Sequence, residues 1–375
     1  MVRLKLRVTS AVVVVAGLVV ASPPSAATAA TSKSGADRMT VVATGLDNPR
    51  GLAVAPGGVV LVAEAGKGGL GPCIIGGQGQ TFCLGATGAI TAVWGRQQKR
   101  VVTGLPSLGT MNQSEVLGPH DIALTKAGPL VTIGLGTDPQ RRAQLGPAGA
   151  LIGQTVRVGP SGASAFADLA GYEAANNPDR DQPGTGPDSN PYGLLPYRDG
   201  AVVTDAGGND LLRLDRQGRI STLAVFPTTP TPNPFGGPGI PMQFVPTTVT
   251  TGPGGALYVG QLTGFPFPVG GAKVWRVVPG QTPTVFAEGF TNIADIAFDN
   301  KGRLLVLEIF ANGLLSGDAT GALTRVERDG TRTELARAGL VTPTGVAVAH
   351  EGTIYISNKG TMVGQGEVLR LRVRD

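Results

Sequence analysis

The sequence predicts an all-β fold, a six-bladed β-propeller, on three observations. A hairpin pattern recurs six times, and each copy has a short apolar strand, a turn that contains glycine and a second β-rich strand. In five copies the residue that closes the second strand lies 12 positions after the apolar anchor of the first strand. Most copies continue with two further β-rich runs, which makes each unit a four-stranded meander. Six such units in a ring make a propeller.

The spacing of the copies matches the size of propeller blades. Successive anchors are 70, 72, 55, 47 and 50 residues apart, and the shortest spacings are close to the roughly 40–50 residues of one blade. The anchors are Leu52, Ile122, Leu194, Val249, Ile296 and Val346. The longer spacings therefore predict insertions within the blade pattern.

The last copy has only three β-rich runs before the sequence ends at Asp375. A matching run, residues 39–46, lies at the front of the chain and resembles residues 332–340. We therefore expect the N-terminal strand to complete the sixth blade, which would remove two exposed sheet edges.

The N-terminal segment has the pattern of a secretory signal peptide. A basic region with Arg3, Lys5 and Arg7 precedes an apolar stretch, residues 11–21, and small residues follow up to Ala29. The apolar stretch is short for a membrane span, although a retained anchor is the alternative. We predict a signal peptide at residues 1–29, a flexible lead-in at 30–38 and the propeller at 39–375, in a secreted or extracytoplasmic protein with no stable membrane span after cleavage.

Charge gives little support for a nucleic-acid partner. The chain has 31 basic and 26 acidic residues, and removal of the three basic residues in the leader reduces the net charge from +5 to about +2. The basic residues are not clustered, so we expect no nucleic-acid binding, and we expect a monomer.

Cys73 and Cys83 are the only cysteines. Their proximity in an exported chain predicts a disulfide, with a redox pair as the alternative.

The insertions all fall on one side of the predicted propeller. Turns between first and second strands, and most turns between third and fourth strands, are short. The long connections are residues 65–87, 136–148, 171–190, 227–245, 262–271 and 310–320. Because these connections emerge where the chain enters each first strand, we expect function on this face, which we call the elaborated face.

Polar residues are predicted to gather where the central channel opens on this face. Four of them close second strands and could hold Ca²⁺ through oxygen ligands: Glu64, Asp205, Glu308 and Asn358. The alternative is that each accepts hydrogen bonds from the adjoining loop backbone. The candidate ligand-binding residues near the channel are Arg50, Asp121, Tyr192 and Asp295.

His120 is the candidate catalytic base, because the second of the two histidines, His350, lies in a short turn on the opposite face. The neighbouring Asp121 points to the other side of the strand, so it is poorly placed to orient the ring. Two further ligand-binding candidates, Phe265 and Phe267, lie in a Pro-rich loop of the elaborated face. The alternative for both rings is that they pack the loop against its neighbour.

Several segments of the sequence resemble the ScyD/ScyE family of secreted propellers, which are related in pattern to NHL-repeat and gluconolactonase-like proteins. The most specific is QLTGFPFP (261–268). The others include LDNPRGLAVAPGGVVLVAEAG (46–66), GPHDIAL (118–124), SNPYGLL (189–195), DAGGNDLLRLD (205–215), FTNIADIAFD (290–299) and PTGVAVAHEGTIYISNKG (343–360). The gluconolactonase side of the resemblance implies a central divalent metal, with partial counterparts of its ligands in Glu64, Asn190, Asp205 and Asn358.

Taken together, the sequence predicts an exported propeller that binds a small molecule or an extracytoplasmic protein through its elaborated face. The resemblance to ScyD/ScyE implies a supporting role in an extracytoplasmic biosynthetic step. The alternative is a metal-assisted lactonase or other hydrolase, in which a metal-bound water at the channel mouth is the nucleophile.

Overall fold

The computed structural model describes residues 38–159 and 162–373, which form a six-bladed β-propeller. The predicted signal peptide, and all but the last residue of the predicted lead-in, lie outside the described residues. The chain begins with β1 (Arg38–Leu46), and blade 1 follows with β2 (Pro49–Val54), β3 (Val60–Glu64), β4 (Cys73–Ile75), β5 (Thr81–Trp94), β6 (Gln97–Gly109) and β7 (Val116–Leu117). Blade 2 contains β8 (Pro119–Thr125), β9 (Gly128–Ile133), β10 (Gln154–Gly159) and β11 (Gly162–Asp168).

A helix, α1 (Leu169–Asn176), leads from blade 2 to blade 3. Blade 3 contains β12 (Pro191–Tyr197), β13 (Gly200–Asp205), β14 (Asp210–Leu214) and β15 (Ile220–Val225). A two-stranded ribbon follows, with β16 (Thr229–Thr231) and β17 (Ile240–Met242). Blade 4 contains β18 (Pro246–Thr251), β19 (Leu257–Gln261), β20 (Ala272–Val277) and β21 (Thr284–Phe290). Blade 5 contains β22 (Ile293–Phe298), β23 (Leu304–Glu308), β24 (Ala322–Val326) and β25 (Arg332–Ala336), and the last strands are β26 (Gly345–Val348), β27 (Ile354–Asn358) and β28 (Gly366–Arg372).

Glycines with positive φ shape the tight first turn of five blades, whereas in blade 3 Arg198 has the positive φ. In the turn between β2 and β3, Gly57 and Gly58 have φ angles of 84° and 78°, which residues with a side chain rarely adopt. The turn is closed by a hydrogen bond from Gly58 N to Ala55 O (3.0 Å). This geometry explains why glycine recurs at these turns and keeps the hairpin offset nearly constant.

An apolar cluster lies at each of the six boundaries between neighbouring blades. The second strands are covered on both faces, so all residues of β19 and β23 are buried. The fourth strands lie at the rim, and most residues of β21 and β25 are exposed or half-buried. Burial on both faces accounts for the continuous apolar runs of the second strands, in place of an alternating pattern.

The two ends of the described chain meet in blade 6. The sheet order is β1-β28-β27-β26, and β1 pairs antiparallel with β28 from Arg38 opposite Arg372 to Leu46 opposite Gly366. Val42 and Leu46 of β1 also join the apolar cluster with Leu52 of blade 1. The N-terminal strand thus adds both backbone hydrogen bonds and apolar contacts to the last blade.

The insertion of blade 1 contains the predicted disulfide. Cys73 in β4 lies opposite Cys83 in β5, and the two sulfurs are bonded at 2.03 Å, which confirms the pairing. Among the described residues, no helix has the length and apolar character that a membrane-spanning helix needs.

Hydrogen bonds join several of the long connections of the elaborated face to one another. The backbone of Gly77 donates to Gly136 O (3.1 Å), and that of Gly136 donates to Ser189 O (2.9 Å). Gln243 Nε2 donates to Gly184 O (3.2 Å) and ties the crossing to blade 4 to the crossing before blade 3. Residues of two of these connections, Asp188 and Val245 among them, line the cavity described below.

Candidate functional site

A cavity of about 110 Å³ lies at the centre of the elaborated face, and we call it the central mouth. Every blade contributes one residue at or beside the start of its first strand: Arg50, His120, Tyr192, Thr247, Ala294 and Thr344. Side chains from the loops complete the wall, among them Glu115, Asp188 and Asn190. The structure therefore brings three of the predicted site residues together: Arg50, His120 and Tyr192.

Arg50 is the buried positive charge of the central mouth, with 8% of the residue exposed. Its Nη1 donates to Gly360 O and its Nη2 donates to Val116 O (3.1 Å). Nε is buried and has no hydrogen-bond partner. Burial lowers the pKa of Arg50, and none of the described carboxylates forms an ion pair with it. The guanidinium thus lies among backbone carbonyls without a counter-charge.

His120 lies beside Arg50 and is almost completely buried. Its Nδ1 is 3.0 Å from Pro191 O, which requires a proton on Nδ1, and its ring centroid is 4.3 Å from that of Tyr192. Burial, together with the charge of Arg50, lowers the pKa of His120 to about 3. A histidine with this pKa is neutral at pH 7 and a weak proton acceptor, so its environment does not suit a general base.

Asp121 and Asp295 do not line the cavity, because adjacent residues of a strand point to opposite sides. Asp121 Oδ2 accepts from Leu194 N of blade 3 (2.8 Å), and Asp295 Oδ2 accepts from Val346 N of blade 6 (2.7 Å). Burial raises the pKa of both carboxyl groups, that of Asp295 to about 6. Both side chains therefore connect first strands of different blades through hydrogen bonds, whereas the sequence predicted that they contact a ligand.

Glycines make room for these ties. The positions immediately before the six anchors are Gly51, Asp121, Gly193, Thr248, Asp295 and Gly345. A Cβ on Gly51 would lie 2.0 Å from Asp121 Oδ1, and a Cβ on Gly345 would lie 2.5 Å from Arg50 O. Gly, Asp or Thr stands immediately before each anchor. This sequence pattern could have identified the contacts between first strands.

The four predicted metal ligands are buried at the ends of second strands on four different blades. Each accepts from a backbone N–H 15 to 17 residues earlier in the chain. The pairs are Glu64 with Asp47 N (2.7 Å), Asp205 with Asn190 N (2.6 Å), Glu308 with Thr291 N (2.6 Å) and Asn358 with Val341 N (2.8 Å). The geometry thus matches the local hydrogen-bonding alternative.

The residues of the central mouth do not fit the divalent metal that the gluconolactonase resemblance implies. Among the described residues no three His, Cys, Asp or Glu side chains are grouped as a metal centre. The mouth also contains the cationic Arg50 beside the neutral His120. Because a cation repels Ca²⁺, these residues are unsuited to hold that ion.

The two predicted loop phenylalanines have different environments. Phe267 is buried against Phe310 and Leu314, whereas Phe265 is only partly buried. Phe235, which the sequence analysis missed, is 84% exposed and stacks on Phe265 with ring centroids 6.0 Å apart. Phe267 therefore packs the loop, while Phe265 and Phe235 form an aromatic pair at the surface.

Comparisons with known proteins find distant similarities to solved structures. No protein-family model and no curated protein matches the chain. A streptogramin B lyase is 13% identical with a TM-score of 0.47, and the match covers 89% of this chain and 98% of that one. A catalytically inactive virginiamycin B lyase variant from Staphylococcus aureus with quinupristin is 13% identical with a TM-score of 0.44, covering 90% and 99%. A gluconolactonase from Xanthomonas campestris is 12% identical with a TM-score of 0.46, covering 89% and 98%.

Proposed function

We propose that this protein is an exported binding protein whose central mouth takes the carboxylate of a small organic anion. The observation that carries the proposal is Arg50, a buried guanidinium with no carboxylate partner among the described residues. Buried charges in proteins are normally paired, because an isolated ion loses its hydration without compensation. A bound anion would supply the missing counter-charge.

The chemistry of the cavity fits a small carboxylate. Arginine is well suited to carboxylates because its planar fork presents several N–H donors, and here Nε has no acceptor. The wall also includes apolar side chains such as Val116, Leu117 and Leu262. A cavity of about 110 Å³ admits a small molecule or one group of a larger one. Tyr192 and His120 add ring surfaces beside the charge.

Two carboxyl groups, Glu115 and Asp188, also line the cavity. Glu115 accepts from Gln80 Nε2 (2.8 Å), and burial raises the pKa of its carboxyl group. Since a raised pKa favours the protonated form, Glu115 opposes an incoming anion less than an exposed glutamate would. Neither group forms an ion pair with Arg50.

The disulfide supports export, and the side chains of the central mouth bear on the lactonase alternative. The Cys73–Cys83 disulfide fits an oxidising compartment, in agreement with the predicted leader. The alternative function, metal-assisted hydrolysis, requires a metal-bound water. The side chains of the central mouth do not supply a ligand set for that metal, so carboxylate binding is the function that the geometry favours.

The test is the affinity of the purified protein for a series of small carboxylates from acetate to benzoate, measured by calorimetry. We expect benzoate to bind and benzamide, its neutral analogue, to bind at least about 10-fold more weakly, because a hydrogen bond to a charged group contributes about 1.5–3 kcal/mol. Arg50→Gln should weaken benzoate binding by about 10- to 100-fold for the same reason.

Arg96→Gln is the matched control, because Arg96 is exposed in the turn between β5 and β6. It should leave the affinity for benzoate unchanged. Thermal melts of each variant check the fold, since Arg50 also bridges Gly360 and Val116. Equal affinity for benzoate and benzamide, or unchanged binding in a folded Arg50→Gln protein, would contradict the proposal.

A further inference from the structure

The aromatic pair of Phe235 and Phe265 lies on the elaborated face, in connections that lead into and extend blade 4. Phe235 is in the turn between β16 and β17, and 84% of the residue is exposed. Its ring lies nearly parallel to that of Phe265, with an interplanar angle of 16° and 6.0 Å between the ring centroids. Most of the Phe235 ring is therefore in contact with water.

Hydrogen bonds hold the backbone of Phe235 although its side chain is exposed. Strands β16 and β17 pair antiparallel on either side of the turn. Within the turn, the backbone of Phe235 donates to Asn233 Oδ1 (3.0 Å), and that of Gly236 donates to Asn233 O (3.0 Å). Asparagine side chains stabilise turns in this way. The exposed ring is thus presented by a hydrogen-bonded turn.

The stretch of chain that contains the aromatic pair has no charged side chain. Residues 220–272 include no Asp, Glu, Lys, Arg or His, whereas 15% of the residues of the whole chain are charged. Val269, in the same stretch, is 68% exposed. Protein surfaces normally carry charges of both signs, and exposed apolar patches mark binding sites. This stretch therefore suits contact with an uncharged, apolar part of a ligand.

Two apolar residues connect the central mouth with the aromatic pair. Leu262 lines the mouth and precedes Phe265 by three positions, so their Cα atoms are at most about 11 Å apart. Ile309 also lines the mouth, and both Ile309 and Phe265 pack against the buried cluster that contains Phe267. Leu262 and Ile309 are themselves only half-buried. Apolar side chains thus extend from the wall of the mouth to the pair.

The central mouth is too small to enclose most organic ligands. Its volume is about 110 Å³. Pockets that enclose a drug-sized ligand measure roughly 300–1,000 Å³. If a carboxylate lies at Arg50, the remainder of a larger molecule must therefore lie outside the cavity. The apolar side chains of Leu262 and Ile309 offer it a surface on the way to the aromatic pair.

We propose that the central mouth and the aromatic pair are the two ends of one binding site for a carboxylic acid with an aromatic tail. The carboxylate lies at Arg50, the chain crosses Leu262 and Ile309, and the terminal ring stacks on Phe235. The proposal rests on the function proposed above and adds the class of ligand to it. Aromatic rings favour offset-stacked and edge-to-face contacts, and the exposed ring of Phe235 is available for such a contact.

The experiment is calorimetry of the purified protein with unbranched acids that end in a phenyl ring, from phenylacetate to phenyloctanoate. We expect the affinity to rise by about 2- to 4-fold for each CH₂ group that becomes covered, until the ring reaches Phe235. The tightest acid of the series should bind at least about 10-fold more tightly than phenylacetate. An alkanoate of the same length without the ring should bind about 2- to 10-fold more weakly than this acid.

Phe235→Ala should remove this gain, because it deletes the exposed ring. Its affinity for the tightest acid should fall about 5- to 20-fold, whereas its affinity for benzoate should not change. Phe235→Tyr keeps a ring that can stack and should keep the gain. Phe286→Ala is the matched control, because Phe286 is also exposed (46%) but lies on β21 at the rim of blade 4. It should leave both affinities unchanged.

Benzoate and the longer acids separate the two proposals. If benzoate binding depends on Arg50, but affinity does not rise along the series or Phe235→Ala keeps the full gain, the extended site is wrong and the carboxylate site at the mouth stands. If the longer acids bind a folded Arg50→Gln protein as tightly as the wild type, the carboxylate does not lie at Arg50 and both proposals are wrong.

Discussion

Glu64→Gln should destabilise the protein by about 2–4 kcal/mol, although the substitution keeps the size of the side chain. Glu64 is completely buried, and its carboxylate accepts from Asp47 N (2.7 Å), from the Thr91 hydroxyl and from Arg100 Nε and Nη2 (3.0 and 2.7 Å). In the glutamine variant an NH₂ group takes the place of one carboxylate oxygen. This NH₂ group then faces the N–H and O–H groups that donated to the oxygen. Arg100 keeps 41% of its side chain exposed and can return to water, which moderates the loss.

The measurement is urea unfolding at neutral pH, with the change read from the midpoint at constant slope. Glu334→Gln is the matched control, because the pair of Glu334 with Arg337 is largely exposed, and we expect it to change the stability by less than about 0.5 kcal/mol. If Glu64 were a metal ligand, chelation would reduce the difference between Glu64→Gln and wild type. A loss below about 1 kcal/mol would show that the hydrogen bonds of Glu64 contribute little to the stability of the protein.

The role of Glu64 recurs around the ring, and it shows what the repeat pattern can predict. Each blade needs a partner for the first N–H groups of its incoming loop, and a polar residue at the end of the second strand supplies it in four blades. Hairpin spacing is a local property, so the blade order and the positions of these residues follow from the sequence. Their burial among backbone donors, which decides between a tie and a metal ligand, depends on loops that the pattern does not describe.

The direction of side chains separates the predicted residues that line the central mouth from those that do not. Arg50, His120 and Tyr192 each lie two positions before an anchor and face the cavity. Asp121 and Asp295 lie one position before an anchor and bond to neighbouring blades. Strict application of the two-residue period of a strand would have assigned the two sets to opposite faces.

A group of five buried carboxyl residues shows the opposite limit, because no local pattern brings it together: Glu173, Asp179, Asp188, Asp205 and Asp210. Its members are separated by up to 37 positions, from Glu173 to Asp210, and they meet only because α1 and the following loop fold over the β13–β14 hairpin. Asp205 and Asp210 could be paired from the hairpin alone, since they close its two strands. Glu173 and Asp179 could not, because long crossings carry no periodicity that fixes where they lie.

The stability of the wild-type protein should fall more steeply below pH 6.5 than that of His120→Gln. The folded protein lowers the pKa of His120 from 6.5 to about 3, whereas the unfolded chain keeps the ordinary value. Between these two pH values the unfolded state binds one more proton at this position, so stability is lost as pH falls, at about 1.4 kcal/mol per pH unit. The contribution is fully present above pH 6.5.

Urea unfolding of both proteins at several pH values between 7.5 and about 4.5 isolates this contribution, because the carboxyl groups titrate in both and cancel in the difference. The side-chain amide of glutamine can still donate to Pro191 O. The variant therefore keeps the hydrogen bond that the His120 ring makes. His350→Gln is the control, since His350 is exposed in a turn, and its profile should run parallel to that of the wild type. Parallel profiles for His120→Gln as well would mean that His120 takes up its proton in the folded state. The central mouth would then gain a second positive charge below pH 6.5 and could bind carboxylates more tightly there, whereas a neutral His120 leaves Arg50 as the positive charge that attracts the anion.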